Sequence, residues 1–172
     1  MKHLFLILII SFFSACADTS LKPAEAEAII KERLAKMPGR SVSFYLGAMT
    51  DSSYYPVYKA IATGKYLTLK DDVYVEAAGR KMPMFEATEE GKKIFQCEKN
   101  RCTVEVCKVV FGGLEGIVNK GKYANASYKV NTVCSGEIYT IFKPLADRLY
   151  IKEETVSEKA DFEFIDNVWK IK

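Results

Sequence analysis

The apolar positions change their spacing several times along the chain, and each change marks an element. Leu4 to Phe13 is an almost unbroken apolar run behind Lys2 and His3. It is too short to cross a bilayer, which takes roughly 20 apolar residues, and it matches a signal-peptide core. Pro23 then opens Ala24–Lys36, where Ala26, Ile29, Ile30 and Leu34 fall on one helical stripe. Proline at the first turn, early glutamates and late basic residues agree with helix-end preferences and the helix dipole. Met37-Pro38-Gly39 ends that helix, and Val42, Phe44 and Leu46 alternate along a short strand, Ser41 to Leu46. Pro56 starts a second helix over Val57–Ala62, with Gly64 placed to close it. Two extended runs, Tyr66–Lys70 and Met84–Thr88, follow around a polar, glycine-bearing stretch. A short helix, from Glu89 to Phe95 at most, comes next.

Beyond residue 96 the spacing is mostly that of strands. Thr103–Phe111 is β-rich, and Ala126–Cys134 alternates Tyr128, Val130 and Thr132 against Lys129, Asn131 and Val133. Glu137–Phe142 before Pro144, and Arg148–Ile151, read as further short strands. Asp161–Ile165 and Val168–Ile171 flank Asp166-Asn167, a dipeptide with tight-hairpin chemistry. Gly112-Gly113 and Gly116 mark a loop or a bulge. The expectation is an α+β chain whose rear part is an antiparallel sheet of about five strands.

Composition narrows the chemistry. The chain has 172 residues, 49% hydrophobic and 27% charged, enough for one domain or two small ones with a packed core. A net charge of +3 is too mild for a nucleic-acid surface. The single histidine, His3, lies in the leader. With the leader removed, no Ser-His-Asp or Cys-His site and no histidine metal ligand can be built.

The leader ends in Phe13-Ser14-Ala15-Cys16, which resembles a bacterial lipobox with Phe13 in place of the usual leucine. The resemblance implies cleavage after residue 15, acylation of Cys16 and a polar tether over residues 16–22 on the membrane. An ordinary signal peptide cut after Ala15 is the alternative. Ala17 is not the aspartate of an inner-membrane retention signal, which favours the periplasmic face of the outer membrane.

In that oxidising compartment the remaining Cys97, Cys102, Cys107 and Cys134 are expected as disulfides. Four cysteines allow three pairings. Glu98-Lys99-Asn100-Arg101 reads as a hairpin loop with Cys97 and Cys102 facing at its mouth. Cys107, five residues past Cys102, would turn to the opposite face of a regular strand and meet Cys134 on another strand. Cys97–Cys102 with Cys107–Cys134 is therefore preferred. The rival, a four-thiolate zinc site, would need closer pairs than C-x4-C-x4-C-x26-C supplies.

Tyr58-Lys59-Ala60-Ile61-Ala62-Thr63-Gly64-Lys65-Tyr66-Leu67, followed by Phe85-Glu86-Ala87-Thr88-Glu89-Glu90-Gly91-Lys92-Lys93-Ile94-Phe95, resembles part of a winged helix. In that family a helix ends in glycine before a strand, a wing follows, and a leu-thr-pro-glu-gly turn enters the next helix. Ala87 and Glu89 depart from that turn. The resemblance implies a winged-helix-like fold for residues 23–95. DNA binding is not carried over, because Lys59 is the only basic residue of the candidate helix. The whole pattern resembles bacterial outer-membrane lipoproteins that join such a module to a small cysteine-bearing β region, here residues 96–172.

Catalytic chemistry is sparse. Gly112-Gly113-Leu114-Glu115-Gly116 lacks phosphate-binding spacing. Asp71-Asp72, Glu89-Glu90 and Glu153-Glu154 are adjacent carboxylates, whereas glycosidases set two across a cleft. Thr140 and Lys143 would lie on opposite faces of a strand. Ser52-Ser53-Tyr54-Tyr55 places aromatics at a helix entry, Trp169 reads as core, and Lys92, Lys93, Lys99, Arg101 and Lys108 put basic charge around the cysteine hairpin. No cofactor, metal or nucleic acid is expected. The expectation is a non-catalytic, lipid-anchored binding or envelope-assembly protein. An envelope hydrolase using carboxylates or a lysine-activated hydroxyl, and an inhibitor or immunity lipoprotein, are the alternatives.

Overall fold

The computed structural model describes residues 19–62 and 65–172; the leader, Cys16 and Gly64 lie outside them. Helix α1 (Pro23–Ala35) carries proline in its first turn, Glu25 early and Arg33 late, and buries Ala26, Ile30 and Leu34 as its stripe requires. Strand β1 (Arg40–Tyr45) follows, then β2 (Gly47–Ala48), a 3-10 turn at Ser52–Tyr54 and helix α2 (Tyr55–Ile61). The two extended runs are the ends of one hairpin, β3 (Leu67–Val75) and β4 (Arg80–Ala87), and its tip turns at Gly79 with φ 61°. Helix α3 (Glu89–Ile94) is capped by Thr88, whose hydroxyl accepts from Gly91 N at 3.0 Å and donates to Lys65 O at 2.6 Å.

The rear half holds β5 (Gln96–Glu98), β6 (Arg101–Lys120), β7 (Tyr123–Val133), helix α4 (Gly136–Arg148), β8 (Glu154–Ile165) and β9 (Val168–Ile171). The β5–β6 connection is tighter than expected, because Glu98 and Arg101 already pair across the ladder. The β8–β9 turn is as expected. Asp166 and Asn167 both take positive φ, 55° and 64°, the requirement of a two-residue turn that matches strand twist.

One segment is corrected outright. Residues 137–142 and 148–151 are not strands: Gly136–Arg148 is a helix. Ile138, Phe142 and Leu145 recur at helical spacing, and Phe142, Leu145 and Ala146 are buried. The β-rich run Ile138–Phe142 and Pro144 obscured this period. Pro144 leaves the Thr140 carbonyl without its helical donor yet stays inside the helix.

Strand order is β1-β6-β7-β8-β9 in the larger antiparallel sheet, with β5 also on β6, and β2-β4-β3 in the smaller one. Two apolar cores result. The first packs α2, α4 and the small sheet on the start of β6, around Phe44, Phe95 and Phe142, whose ring centroids lie 4.9–5.8 Å apart. The second packs α1 on the far part of the sheet, with Ala124, Ala126, Phe162 and Trp169 beneath it. Both cores draw residues from before and after position 95.

β6 serves both cores because it is interrupted. Its partners shift register at Val106 against β1, and at Gly112 and Glu115 against β7. Each bulge adds a residue and so resets the alternation of faces. Residues 102, 104 and 106 pack in the first core, and 109, 111, 114 and 117 in the second. The glycine cluster is therefore bulge, not loop.

Two close backbone approaches depend on glycine, Gly39 against Cys107 O and Gly91 against Tyr66 O. A Cβ on Gly91 would stand 2.1 Å from Tyr66 O, whereas one on Gly116 would meet nothing within 4 Å. Gly91→Ala is expected to destabilise the fold by about 1–3 kcal/mol through overpacking, with Gly116→Ala near neutral. Thermal unfolding followed by circular dichroism checks the contrast, and equal midpoints would refute it.

Candidate functional site

Cys97 and Cys102 face each other across β5 and β6 and are joined, as are Cys107, within β6, and Cys134, just past the end of β7. The pairing is the preferred one, but one argument for it does not hold. The Val106 bulge breaks the regular strand, and Cys107 is buried in the same core as Cys102. The second bridge is further held by Glu153, which accepts from Cys134 N at 3.2 Å. Among the described residues no cluster of three or more metal-ligating side chains forms, and no helix is long and apolar enough to cross a membrane. Cys16 lies outside the described residues.

The other singled-out residues are mostly engaged locally. Glu89 and Glu90 pair with Lys92 and Lys93, Glu154 with Arg40, and Asp71 accepts from the Tyr55 hydroxyl at 3.3 Å. Thr140 and Lys143, now on a helix, still do not meet. The Thr140 hydroxyl donates to Gly136 O at 2.9 Å, and Lys143 pairs with Asp147 at 2.6 Å. Trp169 is core.

A recess sits at the C-terminal end of α4. A groove of about 430 Å³ runs between β1, the segment after β2, and helices α2 and α4. Tyr45, Leu46, Met49, Tyr54, Tyr58, Leu145 and Leu149 line it, with Asp51 and Asn100 at the polar edge. Leu149 also borders a neighbouring hollow of about 300 Å³ formed with Arg40, Tyr150, Ile151 and Lys152. Its walls are stiffened by their own polar groups. The Tyr58 hydroxyl accepts from Tyr45 N at 2.7 Å. The Arg148 guanidinium stacks 4.1 Å from the Tyr54 ring centroid and donates to Ser53 O at 3.3 Å. Hydrogen bonds from Ser53, side chain then backbone, lower the Asp51 carboxyl below its ordinary range.

Leu149 and Tyr150 close α4 in an unusual way. Tyr150 N donates to Asp147 O and Ile151 N to Ala146 O, a Schellman arrangement with Tyr150 at the left-handed position, φ 56°. Glycine is the ordinary occupant, and a bulky residue there costs about 1–2 kcal/mol. Tyr150 is nonetheless 90% exposed. Of the groove's residues, the sequence places Tyr54 among aromatics at a helix entry, Leu46 on a strand face, Tyr58 in the winged-helix-like motif and Asn100 in the hairpin loop. Leu149 and Tyr150 would have been found by following the helical period past Pro144.

A larger recess, about 670 Å³, lies beside Cys107 at the start of α4. Its rim carboxylate Glu137 is taken by Lys65 at 2.8 Å and the Tyr66 hydroxyl at 3.1 Å, and these bonds, Lys65 first, lower its pKa. Comparison of the chain with protein-family models, curated proteins and solved structures gives no match.

Replacing Cys107 and Cys134 with alanine is expected to cost about 3–4 kcal/mol. The shorter Cys97–Cys102 loop should cost about 2 kcal/mol, from the chain entropy of loops spanning 27 and 5 residues. Urea unfolding of the two double variants measures both, and the reverse order would contradict the loop-entropy argument.

Burial raises the Tyr58 phenol above its ordinary 10.0, partly offset by the Tyr45 N–H, and burial aided by Glu158 raises Tyr128. The unfolded chain therefore loses these protons first. Stability is full below about pH 10 and falls as pH climbs above it. Tyr58→Phe leaves Tyr45 N without its acceptor, costing about 1–3 kcal/mol at neutral pH. Its alkaline decline should be shallower than that of the parent, read from urea midpoints at neutral and alkaline pH.

Proposed function

We propose that this protein is a bacterial lipoprotein, acylated at Cys16 and held on the periplasmic face of the outer membrane. It binds an envelope protein partner through the groove at the end of α4 and performs no catalysis. The observation that carries the binding reading is Tyr150: a large aromatic side chain left in solvent on a backbone conformation that favours glycine. Strain of that kind is retained where a surface is used. Leu149, next to it in the chain, and Tyr45, which lines the groove with Leu149, are both exposed and supply the aliphatic and aromatic contact area that protein interfaces favour.

The anchor reading rests on the apolar run Leu4–Phe13 and on Phe13-Ser14-Ala15-Cys16. The winged-helix-like reading of residues 23–95 draws support from chain order: α2, the β3–β4 hairpin as wing, and α3 entered through capping Thr88. A hydrolase is less well supported, because Glu89, Glu90, Glu154 and Lys143 are each held in an ion pair.

Tyr150→Gly is the discriminating variant. It is expected to stabilise the isolated protein by about 1 kcal/mol while removing the partner. A photoreactive residue at position 149, activated in intact envelopes, should cross-link one partner protein in the parent and not in Tyr150→Gly. Cross-links unchanged by the substitution, or confined to the protein itself, would overturn the groove. Intact mass of the membrane-extracted protein tests the anchor separately, since acylated protein begins at Cys16.

A further inference from the structure

The open face of the large sheet, opposite α1, changes character along its length. Its middle is polar, with Asn125, Ser127, Lys129, Asn131, Thr155, Ser157 and Lys159 in the ladder. At the end nearest the β6–β7 turn it is apolar. Val118, Tyr123, Ile165 and Val168 share that face on four successive strands, and each is 41–57% exposed. Tyr123 stands diagonal to Val118 and to Ile165, and Ile165 lies directly opposite Val168. Side chains at such positions reach one another.

Lysines rim the same end. Lys170 lies 3.8 Å from Asp166 and Lys172 3.3 Å from Glu163, with the Lys172 ammonium 4.7 Å from the Tyr123 ring centroid. Lys120 and Lys122 flank the turn and have no carboxylate partner among the described residues. An apolar row with a tyrosine, bordered by surplus lysine, has the composition of a surface that sits among anionic headgroups.

The start of the described chain is tied to this end. Leu21 N donates to Asn119 Oδ1 at 2.8 Å, and Asn119 Nδ2 donates to Leu21 O at 3.3 Å. Cys16 is five residues before Leu21, a reach of at most about 18 Å when fully extended. An acyl chain on Cys16 would therefore hold Asn119, and with it Val118 and Lys120, close to the bilayer.

We infer that this end of the sheet is a membrane-docking surface that rests on anionic phospholipid headgroups and orients the protein with its α4 groove away from the anchor. The inference rests on the acylation of Cys16 proposed above. Length of tether, apolar gradient and unpaired lysines agree on one occupant.

Trp169, the only tryptophan, adjoins Val168 and serves as the reporter. Acylated full-length protein is placed in phosphatidylcholine vesicles carrying a dansyl lipid, with or without phosphatidylglycerol. Energy transfer from Trp169 is expected to rise about twofold with phosphatidylglycerol, since each surface lysine adds to anionic attraction. Lys120→Glu with Lys122→Glu should abolish the rise, and Val118→Asp should reduce it, while sedimentation with the vesicles is unchanged. Transfer indifferent to phosphatidylglycerol and to these substitutions, in protein that still sediments, would overturn the docking surface and leave the anchor standing. An intact mass without acyl chains would overturn the anchor, and the docking surface with it.

Discussion

The structure depends on a single strand being able to face two cores. β6 is the longest element, and a regular strand of its length would turn its apolar residues alternately in and out of step with what covers it. The bulges at Val106, Gly112 and Glu115 restore the phase each time, so spacings of three, as in Phe111, Leu114 and Ile117, still land on the covered face. Bulges also increase local twist. The phenylalanine cluster at one end and the α1 sandwich at the other both follow from that arrangement.

The two ends are held by different means. Around the start of β6 lie both disulfides, the aromatic cluster and the polar clasps of the groove, Tyr58 to Tyr45 and Arg148 to Tyr54 and Ser53. Around its far end no disulfide lies among the described residues. The apolar face of α1, the small residues Ala124, Ala126 and Ala160, and the Asn119–Leu21 clasp hold it instead. Small side chains on β7 and β8 let the helix approach the sheet closely. A binding surface at the stiff end and a tethered surface at the other would separate recognition from attachment.

Much of this architecture is legible in the residues. The stripe of Ala26, Ile30 and Leu34, the alternation along β7, the Asp166-Asn167 turn and the Cys97–Cys102 hairpin all express local chemistry that tertiary packing did not override. α4 was not legible as a helix, because β-branched and aromatic residues before a proline carry a strand signal and Phe142 is recruited by Phe44 and Phe95 from elsewhere in the chain. The groove was out of reach for the same reason: Leu149 on its wall and Tyr150 in the adjoining hollow gain meaning only once the helix before them is known. The Cys107–Cys134 pairing was anticipated although its stated geometry was not, since the bulge at Val106 is specified by pairing with β1 and not by local sequence.

The position of α1 has a consequence for how the chain comes together. Among the described elements it comes first in the chain, yet the strands that cover its apolar face, β6 to β9, include the one that comes last. β1 likewise waits for β6, more than fifty residues downstream. The phenylalanine core can be assembled once α4 exists, whereas the sandwich beneath α1 closes only when Phe162 and Trp169 arrive. The sandwich beneath α1 is therefore the part of the described chain that must wait for the C-terminal strands before its apolar face is covered.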